Sequence, residues 1–176
     1  MHIGIDLGGT KIEGIILNTN GKEIARSRIP TPSGNYKKTV TAIRDLINQL
    51  CANTSVNNEN PVGIGIPGAV SPSSGLIKNA NSTCLIGKDL SRDLSNASGR
   101  RIQLANDADC FAISEAVDGA GQNFITVFVI ILGTGCGGGF VVDRKILNGP
   151  NAIAGEWGHN PIPWATDNER PGPTCY

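Results

Sequence analysis

Near its start the chain reads Gly4-Ile5-Asp6-Leu7-Gly8-Gly9-Thr10-Lys11. Apolar residues alternate on both sides of the glycines, over residues 1–5 and again over residues 12–17, so the pattern predicts two strands joined by a tight turn. Gly8 and Gly9 lack a Cβ, which lets their backbone N–H groups approach a ligand closely. The stretch therefore predicts a β-hairpin whose tip suits a phosphate group.

The residues beside these glycines supply the chemistry of a nucleotide site. Thr10 adds a hydroxyl donor and Lys11 adds a positive charge, and both suit phosphate oxygens. Asp6 would repel a phosphate unless a divalent cation lay between them, and the Mg²⁺ that accompanies ATP is the natural candidate. The alternative is a plain hairpin with an acidic residue for solubility, since glycine turns are common.

A second stretch repeats this pattern. Residues 126–132 and 140–142 read as apolar strands, and between them lies the run Gly133-Thr134-Gly135-Cys136-Gly137-Gly138-Gly139. Two strand–turn–strand units predict two similar lobes that hold one nucleotide. The glycine spacing also satisfies G-x-G-x-x-G, but a dinucleotide site needs a helix after the last glycine, where this chain continues as a strand. The P-loop pattern G-x-x-x-x-G-K-[ST] is absent from the sequence.

Composition excludes several other classes of protein. A chain of 176 residues, 39% of them hydrophobic, can bury one core and part of another. The 15 basic and 15 acidic residues cancel, so no nucleic-acid or anionic-membrane partner is indicated. Without a leader-like start or an apolar run of roughly 18 residues, we expect a cytoplasmic protein. The scattered cysteines are expected to be buried free thiols: Cys51, Cys84, Cys110 and Cys136.

The order of the predicted elements indicates an α/β fold. After the first hairpin, the patterns predict a strand over residues 23–29, a helix over 36–52 and a strand over 62–66. A short helix that ends at Gly99, a strand over residues 101–105 and an alanine-rich helix over 108–116 follow. Antiparallel strands followed by alternating helices and strands predict a mixed five-stranded sheet with helices packed on it.

A long segment between two of these strands is a candidate sugar site. Residues 68–85 are rich in Ser, Pro, Gly and Asn, and segments of this length are usually functional or mobile. Asn79, Asn81 and Ser82 offer neutral donors and acceptors that suit sugar hydroxyls. An ordinary solvated loop explains the same composition.

The pair Asn106-Asp107 is a candidate catalytic site. It follows a predicted strand at the carboxyl end, where chemistry often lies in α/β sheets. Asp107 also stands at the start of a helix, so helix capping explains it without any chemistry.

His159 is a candidate metal ligand, since it is one of only two histidines in the chain. Cys175 is a second candidate ligand, but two ligands do not make a closed zinc site. A packed or surface histidine is the alternative.

Taken in order, these motifs resemble those of the ROK family of sugar kinases, whose fold is the actin-like, RNase H-like ATPase clamp. The resemblance runs over residues 3–176. It is carried by Asp6-Leu7-Gly8-Gly9-Thr10-Lys11, Gly65-Ile66-Pro67-Gly68, Asn106-Asp107, Gly133-Thr134-Gly135 and Glu156-Trp157-Gly158-His159-Asn160-Pro161. Within the family, Lys78-Asn79-Ala80-Asn81-Ser82-Thr83 and Gly158-His159-Asn160-Pro161 are most similar to bacterial fructokinases of the mannose/fructose type.

The resemblance implies a role for each matched residue. Asp107 would be the general base that takes the proton from the 6-hydroxyl of a hexose, expected to be fructose, as it attacks the γ-phosphoryl group of ATP. The residues that would hold ATP are Gly4, Ile5, Asp6, Leu7, Gly8, Gly9, Thr10, Lys11, Gly133, Thr134, Gly135, Cys136, Gly137, Gly138 and Gly139. Those that would hold the sugar are Gly68, Asn81, Asn106, Asp107, Glu156 and His159.

The resemblance also implies parts that this chain lacks. The family's zinc loop continues as Cys-x-Cys-Gly with a third cysteine soon after, whereas this sequence stops at Cys175-Tyr176. We therefore expect a fragment, with a first lobe over residues 1–118 and the beginning of a second over residues 119–176. Low or absent activity and no stable zinc are expected of it. Structural zinc held by His159 and Cys175, and a homodimer, are expected of the full-length protein.

Two other functions are considered. Sugar-responsive repressors share the fold but carry a helix-turn-helix domain ahead of the first strand, and here that strand begins at about residue 2. A sugar-binding module without turnover stays open for a truncated chain. The preferred hexose is also left open, since mannose, fructose, glucose and N-acetylated amino sugars differ by single groups.

Overall fold

The structure is a computed structural model that describes residues 1–52, 54–132, 136–159, 163–164 and 166–168. It divides the chain into two compact units, Met1–Asp107 and Ala108–Tyr176. Among the described residues, no helix has both the length and the apolar character needed to cross a membrane.

The described residues of the first unit form seven strands and two α-helices. In chain order they are β1 (His2–Leu7), β2 (Lys11–Leu17), β3 (Glu23–Pro30), α1 (Tyr36–Cys51), β4 (Val62–Ile66), β5 (Ala69–Val70), β6 (Ile77–Lys78), α2 (Leu90–Ser98) and β7 (Ile102–Asn106). A short 3-10 helix, Thr83–Leu85, precedes α2. The predicted strands and helices are confirmed to within one or two residues, and Gly99 ends α2 in the left-handed conformation at φ 67°.

Five of these strands form the predicted mixed sheet, in the order β3-β2-β1-β4-β7. β1 runs antiparallel to β2, and β2 antiparallel to β3. β1, β4 and β7 run parallel, with Ile5 opposite Ile64 and Ile64 opposite Leu104. The carboxyl ends of these three parallel strands, and of β3, therefore lie at one edge of the sheet.

The core of the first unit lies between this sheet and α1. Alternate residues of β1 and β2 are buried, and α1 buries Ile43, Leu46, Ile47 and Leu50. Period-2 burial on the strands and 3.6-residue spacing on the helix explain why these residues share one core. Asn35 caps α1, since its side chain accepts a hydrogen bond from the Lys38 N–H over 3.0 Å.

The segment over residues 68–85 contains more regular structure than the sequence predicted. β5 and β6 pair as a small antiparallel hairpin within it. Ile77 and Leu85 are buried, and Ile77 donates a backbone hydrogen bond to the Lys88 carbonyl over 3.0 Å. Burial of these two apolar side chains orders a stretch whose composition alone reads as loop.

The second unit pairs one helix with a small sheet. Helix α3 (Asp107–Val117) begins at the last residue of the first unit, and β8 (Thr126–Leu132), β9 (Cys136–Val142) and β10 (Lys145–Ile146) form an antiparallel sheet in the order β10-β9-β8. A 3-10 helix, Trp157–His159, follows. Ala112 and Ala116 of α3 form a buried cluster with Val129 and Val141 of the sheet.

The two compact units divide the chain at a different position from the predicted lobes, and the lobe boundary stays a prediction. The sequence placed the division after residue 118, whereas the compact units divide after Asp107. Because the alanines of α3 pack against β8 and β9, the helix belongs to the second unit. Short side chains in sequence indicate close packing but do not reveal the partner.

The described cysteines are free thiols, as predicted. They are only partly buried, whereas the sequence predicted buried thiols: Cys51, Cys84, Cys110 and Cys136. Cys51 and Cys84 pack against the core of the first unit. Cys175 lies outside the described residues.

Candidate functional site

Three parallel strands bring the candidate residues of the first unit to one edge of the sheet. Asp6 of β1 lies opposite Gly65 of β4, which lies opposite Ala105 of β7. The segments that follow these residues carry the glycine turn, Gly68 and Asp107. Residues distant in sequence thus meet at the carboxyl ends of the strands, where α/β sheets commonly bind ligands.

The first glycine turn is closed by its own backbone. The Gly8 N–H donates to the Lys11 carbonyl over 3.0 Å. A Cβ on Gly8 would lie 2.9 Å from that carbonyl oxygen, whereas a Cβ on Gly9 would meet no atom within 4 Å. Gly8 is therefore needed for the shape of the turn, and Gly9 leaves open space where a ligand can approach.

Thr31 is a residue of this turn that the sequence analysis did not single out. It follows β3, and its Oγ1 donates to the Gly8 carbonyl over 2.8 Å while its N–H donates to the Thr10 carbonyl over 3.0 Å. β3 ends at the same sheet edge as β1, which places Thr31 against the turn. The stop signal Pro30-Thr31-Pro32 marks the end of the strand in the sequence, but only the strand order shows what Thr31 contacts.

Asp6 lies in a region of excess negative charge. Burial raises the pKa of its carboxyl, and the charge of Asp107 raises that pKa further. Glu13, opposite Asp6 on β2, acts in the same direction. The cations Lys11 and Arg28 oppose these effects and only partly offset them. A carboxylate held beside other carboxylates is the environment that a divalent cation relieves.

Glu13 remains ionised beside Asp6. Arg26 donates to one of its carboxylate oxygens over 2.6 Å, and Nε of Arg28 donates to the other over 2.7 Å. These hydrogen bonds hold the pKa of Glu13 below its usual value, those from Arg26 first. Glu13 therefore carries its negative charge at neutral pH, paired with two arginines.

The sugar candidates Gly68 and Asn106 are in direct contact. Nδ2 of Asn106 donates to the Gly68 carbonyl over 3.0 Å. Gly68 adopts φ 149°, and a Cβ there would lie 2.9 Å from both Cα and Cβ of Ala80. This glycine therefore lets the segment before Asn81 approach the end of β4.

Asn81 lines a cavity of about 240 Å³ in the first unit. The other walls are formed by the glycine turn, the segment after β3 and the 3-10 helix; the lining residues are Leu7, Gly9, Thr31, Pro32, Ser33, Gly34, Thr39, Asn81, Ser82, Thr83, Cys84 and Leu85. The predicted sugar residue and the predicted phosphate turn thus border one cavity.

The glycines of the second stretch differ from the predicted turn. The sequence predicted a turn over residues 133–139, whereas β9 begins at Cys136, so Gly137, Gly138 and Gly139 lie in a strand. Ideal Cβ atoms would lie 2.6 Å from the Gly155 carbonyl oxygen at Gly138, and 2.5 Å from the Ala108 carbonyl oxygen at Gly139. The close approach of neighbouring backbone therefore explains why these two positions are glycine.

The remaining predicted residues of the second turn are Gly133, Thr134 and Gly135, and they lie outside the described residues. Whether the second stretch contacts ATP stays a prediction.

The segment that carries Glu156 packs against β9. Nε1 of Trp157 donates to the Gly137 carbonyl over 3.4 Å, and the Trp157 ring meets Phe128 edge-on with centroids 6.2 Å apart. Glu156 itself is half-buried. The described residues hold no group of three or more His, Cys, Asp or Glu side chains suited to a metal ion. The His159 side chain and Cys175, both predicted zinc ligands, lie outside that description.

Comparison with known proteins assigns the chain to a family. A sequence model of the ROK family matches residues 2–176. The chain belongs to the ROK family. This confirms the family that the ordered motifs predicted.

The sequence relatives of this ROK protein include proteins named N-acetyl-D-glucosamine kinase. The N-acetyl-D-glucosamine kinase of Haemophilus influenzae (strain 86-028NP) is 42% identical over 159 residues, which cover 90% of this chain and 52% of that kinase. The N-acetyl-D-glucosamine kinase of Yersinia pestis bv. Antiqua (strain Nepal516) is 41% identical, over 93% of this chain and 63% of that kinase. This chain spans 52–63% of the length of these two relatives.

Solved structures share the fold. A ROK family glucokinase from Streptomyces griseus, in complex with glucose and AMPPNP, is similar at a TM-score of 0.81 and 30% identity, over 92% of this chain and 50% of that one. An inorganic polyphosphate/ATP-glucomannokinase from Arthrobacter sp. strain KM gives a TM-score of 0.78 at 34% identity, over 92% and 64%. The fold is therefore that of the actin-like ATPases, as predicted.

Proposed function

We propose that this ROK protein, or the longer protein that contains this chain, transfers the γ-phosphoryl group of ATP to the 6-hydroxyl of a hexose. The observation that carries the proposal is the position of Asp107. It follows β7 at the carboxyl edge of the sheet, adjoins the Asn106–Gly68 contact and acts electrostatically on Asp6 of β1. A base between a polyhydroxyl site and a phosphate turn is the arrangement that phosphoryl transfer to a sugar requires.

Asp107 is the proposed general base. A carboxylate that accepts the proton of the attacking hydroxyl contributes about 10² to 10⁴ in rate. Asn106 and Gly68 are the proposed sugar contacts beside it, with Asn81 farther along the same segment. Asp107 is also the first residue of α3, so helix capping is the alternative explanation for this residue. The mutant experiment must distinguish capping from catalysis.

The glycine turn over residues 4–11 is the proposed phosphate site of the first unit. The open space at Gly9 supports this, since a backbone N–H can approach a phosphate only where no side chain stands. Asp6 is the proposed carboxylate for Mg²⁺, and the negative charges of Asp107 and Glu13 around it fit a divalent cation. When bound with ATP, Mg²⁺ would neutralise charge on the phosphate oxygens.

The hexose is the finer part of the proposal. The motifs over residues 78–83 and 158–161 favour fructose, as predicted from their similarity to fructokinases. N-acetyl-D-glucosamine is the second candidate, because it is the sugar named for the relatives that are 42% and 41% identical. Glucose is the sugar bound in the Streptomyces griseus relative.

Several further proposals concern the second unit and the full-length protein. Gly133, Thr134 and Gly135 would hold ATP phosphates from the second unit, and Glu156 and His159 would hold sugar hydroxyls. His159 and Cys175 would contribute to a structural zinc site once further cysteines are present. A homodimer of the full-length protein is also proposed.

A coupled assay of ADP release tests the proposal. The assay should use the 176-residue chain and, where the protein is longer, its full-length form, with fructose, mannose, glucose and N-acetylglucosamine. Asp107→Asn should lower kcat by about 10² or more while the protein stays folded. The matched control is Asp45→Asn, which removes an exposed carboxylate on α1.

The outcomes separate a kinase from a binding module and test the role of Asp107. Turnover that Asp107→Asn abolishes and Asp45→Asn leaves unchanged supports the kinase. Sugar binding without turnover in a folded full-length protein would instead favour a binding module, with Asp107 reduced to a helix start. Turnover retained in Asp107→Asn would contradict its role as the base.

A further inference from the structure

The cavity beside Asn81 is lined by the glycine turn and by two further segments, of which only one contains a proposed site residue. Residues 81–85 form one of these walls, while residues 31–34 form another, in which Pro32, Ser33 and Gly34 have no role assigned above. Leu7 and Gly9 of the glycine turn also border the space. The cavity thus lies between the phosphate turn and the sugar segment.

The wall over residues 31–34 is held rigidly from both ends. Thr31 donates two hydrogen bonds to the glycine turn, over 2.8 and 3.0 Å. Thr39 is buried in α1, and its Oγ1 donates to the carbonyl oxygens of Pro32 and Asn35 over 3.3 and 3.0 Å. Because these hydrogen bonds already order the wall, little conformational entropy of the chain is lost when a ligand binds against it.

The wall over residues 81–85 contains hydroxyl side chains. Ser82 precedes the 3-10 helix Thr83–Leu85, but its side chain makes no capping hydrogen bond to that helix. The helix is held by its backbone instead, since the N–H of Leu85 donates to the Ser82 carbonyl over 3.0 Å. Ser82 therefore lines the cavity without its side chain being used to cap this helix.

The lining of the cavity is neutral. The described residues that line it supply hydroxyl, amide, thiol, backbone and apolar groups, and none of these described residues is Asp, Glu, Lys, Arg or His. Leu7 and Leu85, both buried, supply the apolar part. A sugar ring, which offers both hydroxyls and an apolar face, fits such a lining.

A chain of contacts relates the cavity to the proposed base. Asn106, which precedes Asp107, contacts Gly68, and Gly68 lies against Ala80, the residue before Asn81. The segment that lines the cavity is therefore continuous with the contact beside the proposed base.

We propose that this cavity binds the end of the hexose remote from the reacting hydroxyl, and that Ser33 and Ser82 on its two walls determine which sugar is accepted. The inference rests on the proposed function for the orientation of the sugar. Hydroxyl donors on both walls discriminate between sugars because a missing partner leaves a polar group unpaired.

The first test uses Cys84 as a probe, because this partly buried thiol lines the cavity. Alkylation of each cysteine by iodoacetamide is followed by peptide mass mapping, with and without fructose, N-acetylglucosamine or inorganic phosphate. A bound sugar should slow the alkylation of Cys84 several-fold. Cys51 is the internal control, since it lies at the end of α1 and does not line the cavity.

The results have opposite meanings. Protection of Cys84 by a sugar, but not by phosphate, with Cys51 unaffected, supports the cavity as a sugar site. Protection by phosphate alone, equal protection of both cysteines, or no protection by sugars at saturation would overturn it. This readout does not require turnover, so it remains decisive if no sugar is phosphorylated and the proposed kinase activity fails.

The second test uses Ser33→Ala and Ser82→Ala in the coupled assay. Each should raise KM for the accepted sugar about two- to tenfold, as expected for one lost hydrogen bond, and should change the ratio of KM between sugars. KM for ATP and kcat should not change. Ser73→Ala, in the exposed turn between β5 and β6, is the matched control. Active variants with unaltered sugar preference would remove Ser33 and Ser82 from specificity while leaving the kinase proposal intact.

Discussion

Nδ2 of Asn106 donates a hydrogen bond to the backbone carbonyl oxygen of Gly68 over 3.0 Å. The two residues are 38 positions apart in sequence and meet because β4 and β7 are parallel neighbours that end at one edge. The contact ties the residue before the proposed base to the turn that begins the sugar segment. It connects the two halves of the candidate site within the first unit.

Replacing Asn106 should weaken both stability and sugar binding. Asn106→Ala removes the donor to Gly68 and should lower the free energy of unfolding by about 1 kcal/mol. Since the turn at Gly68 loses its tether, KM for the sugar should rise more than KM for ATP. Urea denaturation and steady-state kinetics measure the two effects. Gln103→Ala, exposed on the same strand, serves as the control and should change neither; equal effects in both variants would contradict this role.

Gly68 should tolerate no side chain. Gly68→Ala would place a Cβ 2.9 Å from the Ala80 backbone and from the Lys78 carbonyl oxygen, at a φ of 149° that L residues rarely adopt. We expect a loss of about 3 kcal/mol in the free energy of unfolding. Gly75→Ala has a comparable backbone demand, at φ 72°, but open space around it, and should cost about 1 kcal/mol. Thermal or urea unfolding that ranks Gly75→Ala as the more damaging change would show that the close approach is unimportant.

The two glycines of the first turn should respond differently to alanine. Gly8→Ala places a Cβ 2.9 Å from the Lys11 carbonyl oxygen and should destabilise the fold by about 1 to 3 kcal/mol. Gly9→Ala meets no protein atom within 4 Å, so the free energy of unfolding should change by less than about 0.5 kcal/mol.

Gly9→Ala should nevertheless raise KM for ATP about tenfold, because the new methyl group occupies the space where a phosphate would approach. Because Gly9→Ala is expected to stay folded, a change in its KM for ATP can be assigned to the lost space. Gly8→Ala is the comparison variant in which the fold itself is destabilised. An unchanged KM for ATP in a folded Gly9→Ala protein would count against phosphate binding at this turn.

Asp6 should make stability depend on pH. Its folded-state pKa lies above the usual value of 3.8, chiefly through burial and then through Asp107. Between the two values the folded protein binds more protons than the unfolded chain, so stability falls as pH rises. The contribution is fully present below about pH 3.8 and is lost once pH passes the raised pKa.

Asp6→Asn should therefore be more stable than the parent protein at pH 7, and the difference should shrink toward pH 4. Chemical denaturation at both values measures it. Addition of Mg²⁺ should raise the stability of the parent more than that of Asp6→Asn, if Asp6 contributes to a cation site. A variant less stable than the parent at pH 7 would show that Asp6 is satisfied by its surroundings rather than strained by them.

Much of the first unit could be predicted from local patterns. Alternating apolar residues place β1 and β2, and the spacing of Ile43, Leu46, Ile47 and Leu50 predicts the buried face of α1. Gly99 ends α2 in the conformation that glycine favours. These features depend on residues within a turn or two of each other, so the sequence carries them directly. The ordered motifs likewise determined the family.

Tertiary structure decided which distant residues meet. Strand order places Thr31 on the glycine turn and Asn106 on Gly68, and neither contact follows from spacing along the chain. The glycines of β9 look in sequence like a continued phosphate turn, yet Gly138 and Gly139 lie in a strand paired with β8. Neighbouring backbone occupies the space that their side chains would need, which explains why these positions are glycine. The alanines of α3 predict close packing, but only the folded chain shows that their partners are Val129 and Val141. Local sequence determines the shape of each element, whereas register and packing between elements determine which groups share a site.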